Sequence, residues 1–339
     1  MKLVYITGIT GQVGSMLADF YLNKGFYVVG LVRRTSTNNT ERIAHILGNP
    51  NLELVQADIT DAASLHKSIN HFKPDFLCHA AAQSQVRISF DEPYHTMLTT
   101  GMGTLNILEA LVKESPHTKS VFFNSSEMFG SACDKDGLQR ETTPFMPCSV
   151  YGIAKLASHH LVNVYRKSYG IFACSAICFN MESSRRGDNF VTKKITKWLA
   201  EFHQAKENSW SWSKIKLGNI NAQRDWNAVR DSILAVDLML NHKEPDDFVI
   251  SSGETHSVRE FFQEALNLVE PGYKIDDLYE VDKSLLRPYE LPYLRGDSTK
   301  IREKLGWKPK VGFKELIREM VAADVRDLMN KELDYVSDR

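Results

Sequence analysis

Five cysteines in 339 residues are too few and too irregularly spaced to build a disulfide framework or a zinc site. Cys78, Cys133, Cys148, Cys174 and Cys178 are odd in number, and Cys174 and Cys178 lie in an apolar run, where they read as small buried hydrophobes. Charge of either sign is not in excess: 41 Lys+Arg against 42 Asp+Glu leave −1, which offers nothing to a nucleic acid or an anionic membrane. No apolar run approaches the ~20 residues of a membrane-spanning helix. The opening Met1-Lys2-Leu3-Val4-Tyr5-Ile6 meets a glycine turn too soon to be a signal peptide. Repeats and low-complexity tracts are missing as well. What remains is 43% hydrophobic and 24% charged, a globular composition long enough for one large or two coupled domains. These features predict a cytoplasmic, reduced protein with neither nucleic acid nor membrane as a partner.

Hydrophobic patterning then alternates strand and helix. Short apolar runs predict strands at Leu3 to Thr7, Tyr27 to Val32, Leu52 to Gln56, Phe76 to Ala80, Ser120 to Asn124 and Phe172 to Phe179. Helical periodicity falls between them, at Ser15 to Lys24, Ala62 to His71, Thr104 to Glu114 and Val150 to Ser168. Such alternation implies an α/β chain with a doubly wound, Rossmann-type parallel sheet and right-handed crossovers. We expect residues 1–180 to form this unit and 181–339 a smaller mixed α/β substrate domain, some of whose segments return to the first.

The first strand runs into Thr7-Gly8-Ile9-Thr10-Gly11-Gln12-Val13-Gly14, and the helix follows at once. Gly8 suits the tight turn, Gly11 the close approach of backbone to a pyrophosphate, and Gly14 the packing of helix on strand. The helix N-terminus adds free N–H groups and a positive dipole end. A dinucleotide is therefore expected here. The second strand ends Gly30-Leu31-Val32-Arg33-Arg34, with no acid for a ribose 2′-hydroxyl, and two guanidinium groups suit a 2′-phosphate. That favours NADP over NAD. Asp58-Ile59, after the third strand, could lie along the adenine or cap the next helix.

Chemistry gathers further on. Tyr151 and Lys155 stand four apart, hence on one face of a helix, where the ammonium is expected to lower the phenol's pKa. Ser125 is a hydrogen-bond partner for the same substrate hydroxyl. Glu127 is an acid/base group that simple alcohol oxidation would not need.

A longer series of residues carries a resemblance. Thr7 to Gln12, Arg33-Arg34 with Asn39 to Ile43, Ala81 to Ser84, Glu182-Ser183, Arg185-Arg186-Gly187 and Asn189 to Thr192 belong to it. So do Leu217-Gly218-Asn219, Arg224-Asp225-Trp226, His256 to Phe261, Arg287-Pro288, Gly296-Asp297 and Trp307-Lys308-Pro309. With them the chain resembles the extended short-chain dehydrogenase/reductase family, and within it the GDP-mannose 4,6-dehydratases, nearly end to end. The resemblance implies an NADP-dependent hydro-lyase of deoxysugar nucleotide biosynthesis. Its catalytic set would be Ser125, Glu127, Tyr151 and Lys155. Tyr151 would take the 4-hydroxyl proton, and Glu127 would remove the C5 proton and protonate the departing C6 hydroxyl. Gly8, Thr10, Gly11, Gln12, Val13, Gly14, Arg33, Arg34, Asp58, Ile59, Ala80, Ala81, Gln83 and Arg186 would join Tyr151 and Lys155 around NADP. Ser84, Ser126, Asn180, Asn189, Val191, Lys194, Arg224, Arg287 and Glu290 would line a GDP-linked sugar. Arg185-Arg186 could contact the cofactor or a neighbouring subunit, and the Arg33 to Ile43 loop resembles one used for assembly, so a homo-oligomer, dimer or tetramer, is expected.

Departures from the pattern fall near the sugar. Ser125 stands where the family has Thr, and Leu98-Thr99-Thr100, Met181, Ser184 and the Leu291-Pro292 after Glu290 also differ. Mannose could therefore be replaced by a related hexose or heptose. An epimerase or reductase of the same superfamily, or a non-catalytic NADP-binding module, are the other readings; the intact Ser–Tyr–Lys set speaks against the module. Trp210 and Trp212 read as core or interface packing rather than a sugar platform.

Overall fold

The computed structural model describes residues 1–337. Seven strands form its central sheet: β1 (Leu3–Thr7), β2 (Tyr27–Val32), β3 (Leu52–Gln56), β4 (Phe76–His79), β5 (Lys119–Ser125), β6 (Ala173–Cys178) and β7 (Asp247–Ile250). All run parallel in the order β7-β6-β5-β4-β1-β2-β3. Because side chains alternate along a strand, Val4 and Ile6 enter one core while Tyr5 enters the other. The first core is closed by α1 (Gln12–Asn23) and α6 (Val229–Asn241), through Leu17, Tyr21, Ile233 and Met239. The second is closed by α2 (Ala62–Phe72), α3 (Gly103–Glu114) and α4 (Val150–Tyr169), through Leu65, Ile107 and Val162. Covered on both faces, the strands can be continuously apolar.

A smaller unit stands over the carboxyl ends of the strands. Its helices α5 (Val191–Glu207), α7 (Val258–Val269) and α8 (Phe313–Ser337) enclose Phe202, Trp226, Phe261 and Phe262. Ser257 and Glu260 close a capping box at the start of α7. Among the described residues no helix is long and apolar enough to cross a membrane.

Most predicted elements lie within one residue of their expected bounds, and one helix start differs by more. Helix α1 begins at Gln12, not Ser15, because Gly11 is its N-cap and Gly14 lies inside the first turn. Strand β7 and helix α6, which come from beyond residue 180, complete the central sheet and its cover. Strand β7 is short and flanked by Pro245-Asp246 and Ser251-Ser252, but is well anchored: Asp247 accepts from Ser175 N at 3.2 Å and pairs with Arg166, and Glu141 accepts from Val249 N at 2.7 Å. The strand order reverses between β1 and β4, so a crevice opens at the carboxyl ends there.

Candidate active site

A cavity of about 870 Å3 follows that crevice and continues beneath the smaller unit. At one end lies the glycine loop. Gly8 has φ +71°, and a Cβ there would sit 2.9 Å from Ala81 Cα; at Gly14 a Cβ would meet Gly8 O at 2.1 Å. Only glycine lets strand, turn and helix close this tightly. Helix α1 has no side-chain cap and no acid in its first turn, so its N-terminus is left to whatever fills the cavity beside Thr10, Gly11, Gln12 and Val13. Gln12 ties the loop to the smaller unit, donating to Met181 O at 3.0 Å and accepting from Ser183 at 2.8 Å.

Asp58, Ile59, Ala80, Ala81 and Gln83 line the same end. Asp58 accepts from Thr60 N and Oγ1 at 2.8 and 2.7 Å, a turn cap rather than a helix cap; Asp61 caps α2. Ala81 N donates to Thr7 Oγ1 at 3.1 Å, and Gln83 Nε2 to Thr96 Oγ1 at 3.0 Å. Arg33 lines the cavity, but its neighbour Arg34 does not. A second guanidinium arrives instead from Arg42, on the 3-10 turn Glu41–Ile46. Its Nε donates to Arg185 O at 2.9 Å and its Nη1 to Thr10 O at 3.4 Å, which fixes it beside the glycine loop.

The centre of the cavity holds Ser125, Ser126, Glu127, Tyr151 and Lys155. Ser125 ends β5 and accepts from Glu127 N at 3.2 Å, fixing the turn Ser126–Met128. Ser149 caps α4 by accepting from Gly152 N at 3.0 Å, which sets Tyr151 in the first turn and Lys155 one turn later. Lys155 Nζ donates to Phe123 O at 2.5 Å and lies 5.9 Å from the centre of the Tyr151 ring. Burial pulls Lys155 down to about 8. Burial likewise pushes Tyr151 up to about 12, and the groups that favour its phenolate are the Ser125 hydroxyl and the Arg186 charge. The same burial that raises the phenol also disfavours the charge of Lys155, the group expected to lower it. Arg186 is held 3.3 Å from Glu182 and stacks 3.6 Å over the Phe190 ring.

At the far end Ser84, Asn180, Asn189, Val191, Lys194, Arg224, Arg287 and Glu290 all line the cavity. A feature the sequence reading missed is the start of α5. Phe190 caps it with no side-chain bond, its first turn carries no acid, and Val191, Thr192 and Lys194 face the cavity. It is a second helix N-terminus suited to an anion. The signal was available in Asn189-Phe190-Val191-Thr192, as it was in Leu217-Gly218-Asn219, which lines the outer end. Arg224 is buried and donates to Gln223 O, Leu291 O and Glu290 Oε1 at 2.8, 2.7 and 2.5 Å. Arg287 Nη1 lies 3.2 Å from Glu127 Oε1 and 3.9 Å from Glu290 Oε1.

Of the departing positions, Ser125, Leu98, Thr99 and Met181 line the cavity, whereas Thr100, Ser184, Leu291 and Pro292 do not. Trp210 and Trp212 lie outside it; Trp212 packs edge-on against Trp198 and Phe202, and Trp210 is exposed. Among the described residues no group of three His, Cys, Asp or Glu side chains could hold a metal ion.

A doubly wound sheet, a glycine loop and a Ser–Tyr–Lys set around one cavity define the extended short-chain dehydrogenase/reductase class. Comparison narrows it. A family model described as GDP-mannose 4,6 dehydratase matches residues 5–320. The GDP-mannose 4,6 dehydratase of Homo sapiens is 44% identical over 348 residues, covering 96% of this chain and 91% of its own. Those of Arabidopsis thaliana (GDP-mannose 4,6 dehydratase 1) and Vibrio cholerae are 42% and 37% identical, covering 96% of this chain and 90% and 94% of theirs. The chain belongs to the GDP-mannose 4,6 dehydratase family. A solved UDP-glucose 4-epimerase of Thermus thermophilus, in complex with NAD, superposes with a TM-score of 0.81 at 25% identity, covering 95% of this chain and 98% of its own. The dTDP-glucose 4,6-dehydratase of Bacillus anthracis, at 22% identity, shares the fold with a TM-score of 0.80 over 95% of this chain and 96% of its own.

Proposed function

We propose that this chain is an NADP-dependent 4,6-dehydratase of a GDP-linked sugar, with GDP-mannose as substrate and GDP-4-keto-6-deoxymannose as product. One observation carries the reading: Glu127 shares a continuous cavity with Ser125, Tyr151 and Lys155, between the glycine loop and the arginines of the smaller unit. The cavity fits a nicotinamide dinucleotide, because the uncapped start of α1 is free to hold a pyrophosphate and a Cβ at Gly8 or Gly14 would close the loop. A bound nicotinamide would supply the hydride acceptor for C4 and the donor for C6. Arg33 and Arg42 would grip the 2′-phosphate of NADP.

In this reading Tyr151 takes the C4 hydroxyl proton, with Ser125 hydrogen-bonded to the same oxygen. Lys155 supports Tyr151 and the nicotinamide ribose. Once C4 is a ketone, the C5 proton is acidic, and Glu127 removes it and hands it to the C6 hydroxyl, which leaves as water. With hydride returned to C6 and the proton held by Tyr151 delivered to C5, the atoms balance for the loss of one water. Arg224, Lys194 and the start of α5 would hold the diphosphate. Residues 1–180 with the returning segments thus hold the cofactor, the rest of 181–339 the nucleotide sugar, and the enzyme works as a homo-oligomer.

A second substrate, a related GDP-hexose or GDP-heptose, is favoured by Leu98, Thr99 and Met181, which line the cavity and depart from the family pattern. The test offers GDP-mannose, a GDP-heptose, UDP-glucose and dTDP-glucose with NADP. A product lighter by one water from a GDP-sugar is expected. No such product from any GDP-sugar, with C4 inversion of UDP-glucose instead, would replace the dehydratase reading by an epimerase.

A further inference from the structure

Two arginines stand at the outer part of the cavity, and they are held differently. Arg224 is buried, and its guanidinium is committed to two backbone carbonyls and Glu290. Arg287 follows the 3-10 turn Lys283–Leu285, and its side chain is 26% exposed. Its partners among the described residues are carboxylates: Glu127 at 3.2 Å and, more loosely, Glu290 at 3.9 Å. Glu290 is already engaged by Arg224. Glu127 forms no other ion pair among the described residues; Tyr151 and Arg224 are the further titratable groups in its field. One guanidinium therefore sits on the carboxylate that dehydration needs, while most of its five N–H donors remain uncommitted.

We propose that Arg287 is a positioning residue shared between Glu127 and the diphosphate of the substrate, so that binding of the nucleotide draws the guanidinium away and frees Glu127 to act at C5. The inference rests on the dehydratase reading of this cavity. A diphosphate offers more charge and more acceptors than one carboxylate, and it suits the planar fork of an arginine. Lys194 and the start of α5 line the same cavity and favour an anion. The exchange would keep Glu127 occupied until a nucleotide-linked sugar is in place.

Competition for one guanidinium has a measurable signature. GDP affinity is measured by calorimetry on the NADP-loaded protein for wild type, Glu127→Gln, Arg287→Gln and the double variant, with melting curves to show that each folds. Glu127→Gln should bind GDP about two- to fivefold more tightly, the worth of a partly exposed ion pair. Arg287→Gln should bind it more weakly, and the double variant should match Arg287→Gln. Guanosine, which lacks phosphate, should bind wild type and Glu127→Gln equally. Arg287→Lys, which keeps the charge without the fork, should retain part of the effect of removing Glu127. A purely structural Arg287 would give no coupling in any pair. Unchanged or weaker GDP binding by Glu127→Gln, or equal tightening in the Arg287→Gln background, would overturn the exchange. Failure of wild type to bind GDP at all would remove the nucleotide-sugar reading, and this proposal with it.

Discussion

Lys155 is the place where this fold sacrifices stability for its site, and replacing it with Met should make the protein more stable. Its ammonium is buried beneath Tyr151, and burial lowers it from 10.5 to about 8. That fall corresponds to about 3 kcal/mol at 1.36 kcal/mol per pH unit. A methionine of similar length carries no charge to desolvate, but it forfeits the hydrogen bond to Phe123 O, which costs about 1 kcal/mol. Lys155→Met should therefore gain about 2 kcal/mol near neutral pH. The pH dependence gives the sharper test. Below about 8 both folded and unfolded chains carry the proton, and the full penalty is present. Between about 8 and 10.5 the unfolded chain binds a proton that the folded chain has released, so wild-type stability rises with pH. The advantage of the variant should shrink across that window, reach zero about 1.5 pH units above its lower end and reverse by about 1 kcal/mol near its top. Urea unfolding at about pH 6.5 and about pH 9.5 measures both arms, with the wild-type-minus-variant difference cancelling other titrations. A variant less stable than wild type at the lower pH, or a difference that does not change with pH, would refute the argument. Activity should be lost in either case.

Glu127→Gln should leave cofactor binding intact and slow water loss by about 10²–10⁴-fold; stopped-flow absorbance of reduced cofactor and product mass would show it, and full turnover would count against the mechanism. Arg33→Ala and Arg42→Ala should each weaken NADP by about tenfold or more while barely changing NAD. Arg34→Ala should do neither, and equal losses for the two cofactors would dismiss the 2′-phosphate assignment.

Much of this architecture could be read in the sequence because its strands are short, apolar and separated by amphipathic helices. Strands β1, β2 and β3 fall at their expected bounds for that reason. Strand β7 did not announce itself: four residues carry no period, and its place beside β6 depends on Asp247, Arg166 and Glu141, whose meeting spans long stretches of chain. The same distinction separates Arg33 from Arg34. Both follow the end of β2 at Val32, and where each turns is set by the loop rather than by their adjacency: only Arg33 lines the cavity. Arg42 was out of reach because the loop Thr35 to Thr40 decides where it returns. The Tyr151–Lys155 spacing gave a shared helix face correctly, but spacing carries no information about burial, which governs both pKa shifts.

The fold alone leaves the chemistry open, since a UDP-glucose 4-epimerase superposes over nearly the whole chain. What can move the outcome from oxidation and inversion to elimination is a local arrangement. Ser125 ends its strand and holds the backbone of Glu127 two residues on, so one turn carries both the hydroxyl that the proposed mechanism uses at C4 and the carboxylate it uses at C5 and C6. Because the strand end fixes that turn and α4 fixes Tyr151, the two groups proposed to transfer protons face one cavity without any further element. In the proposed exchange the carboxylate is occupied until the nucleotide arrives, and the residue that meets it in this structure, Arg287, stands in the cavity where a diphosphate would bind.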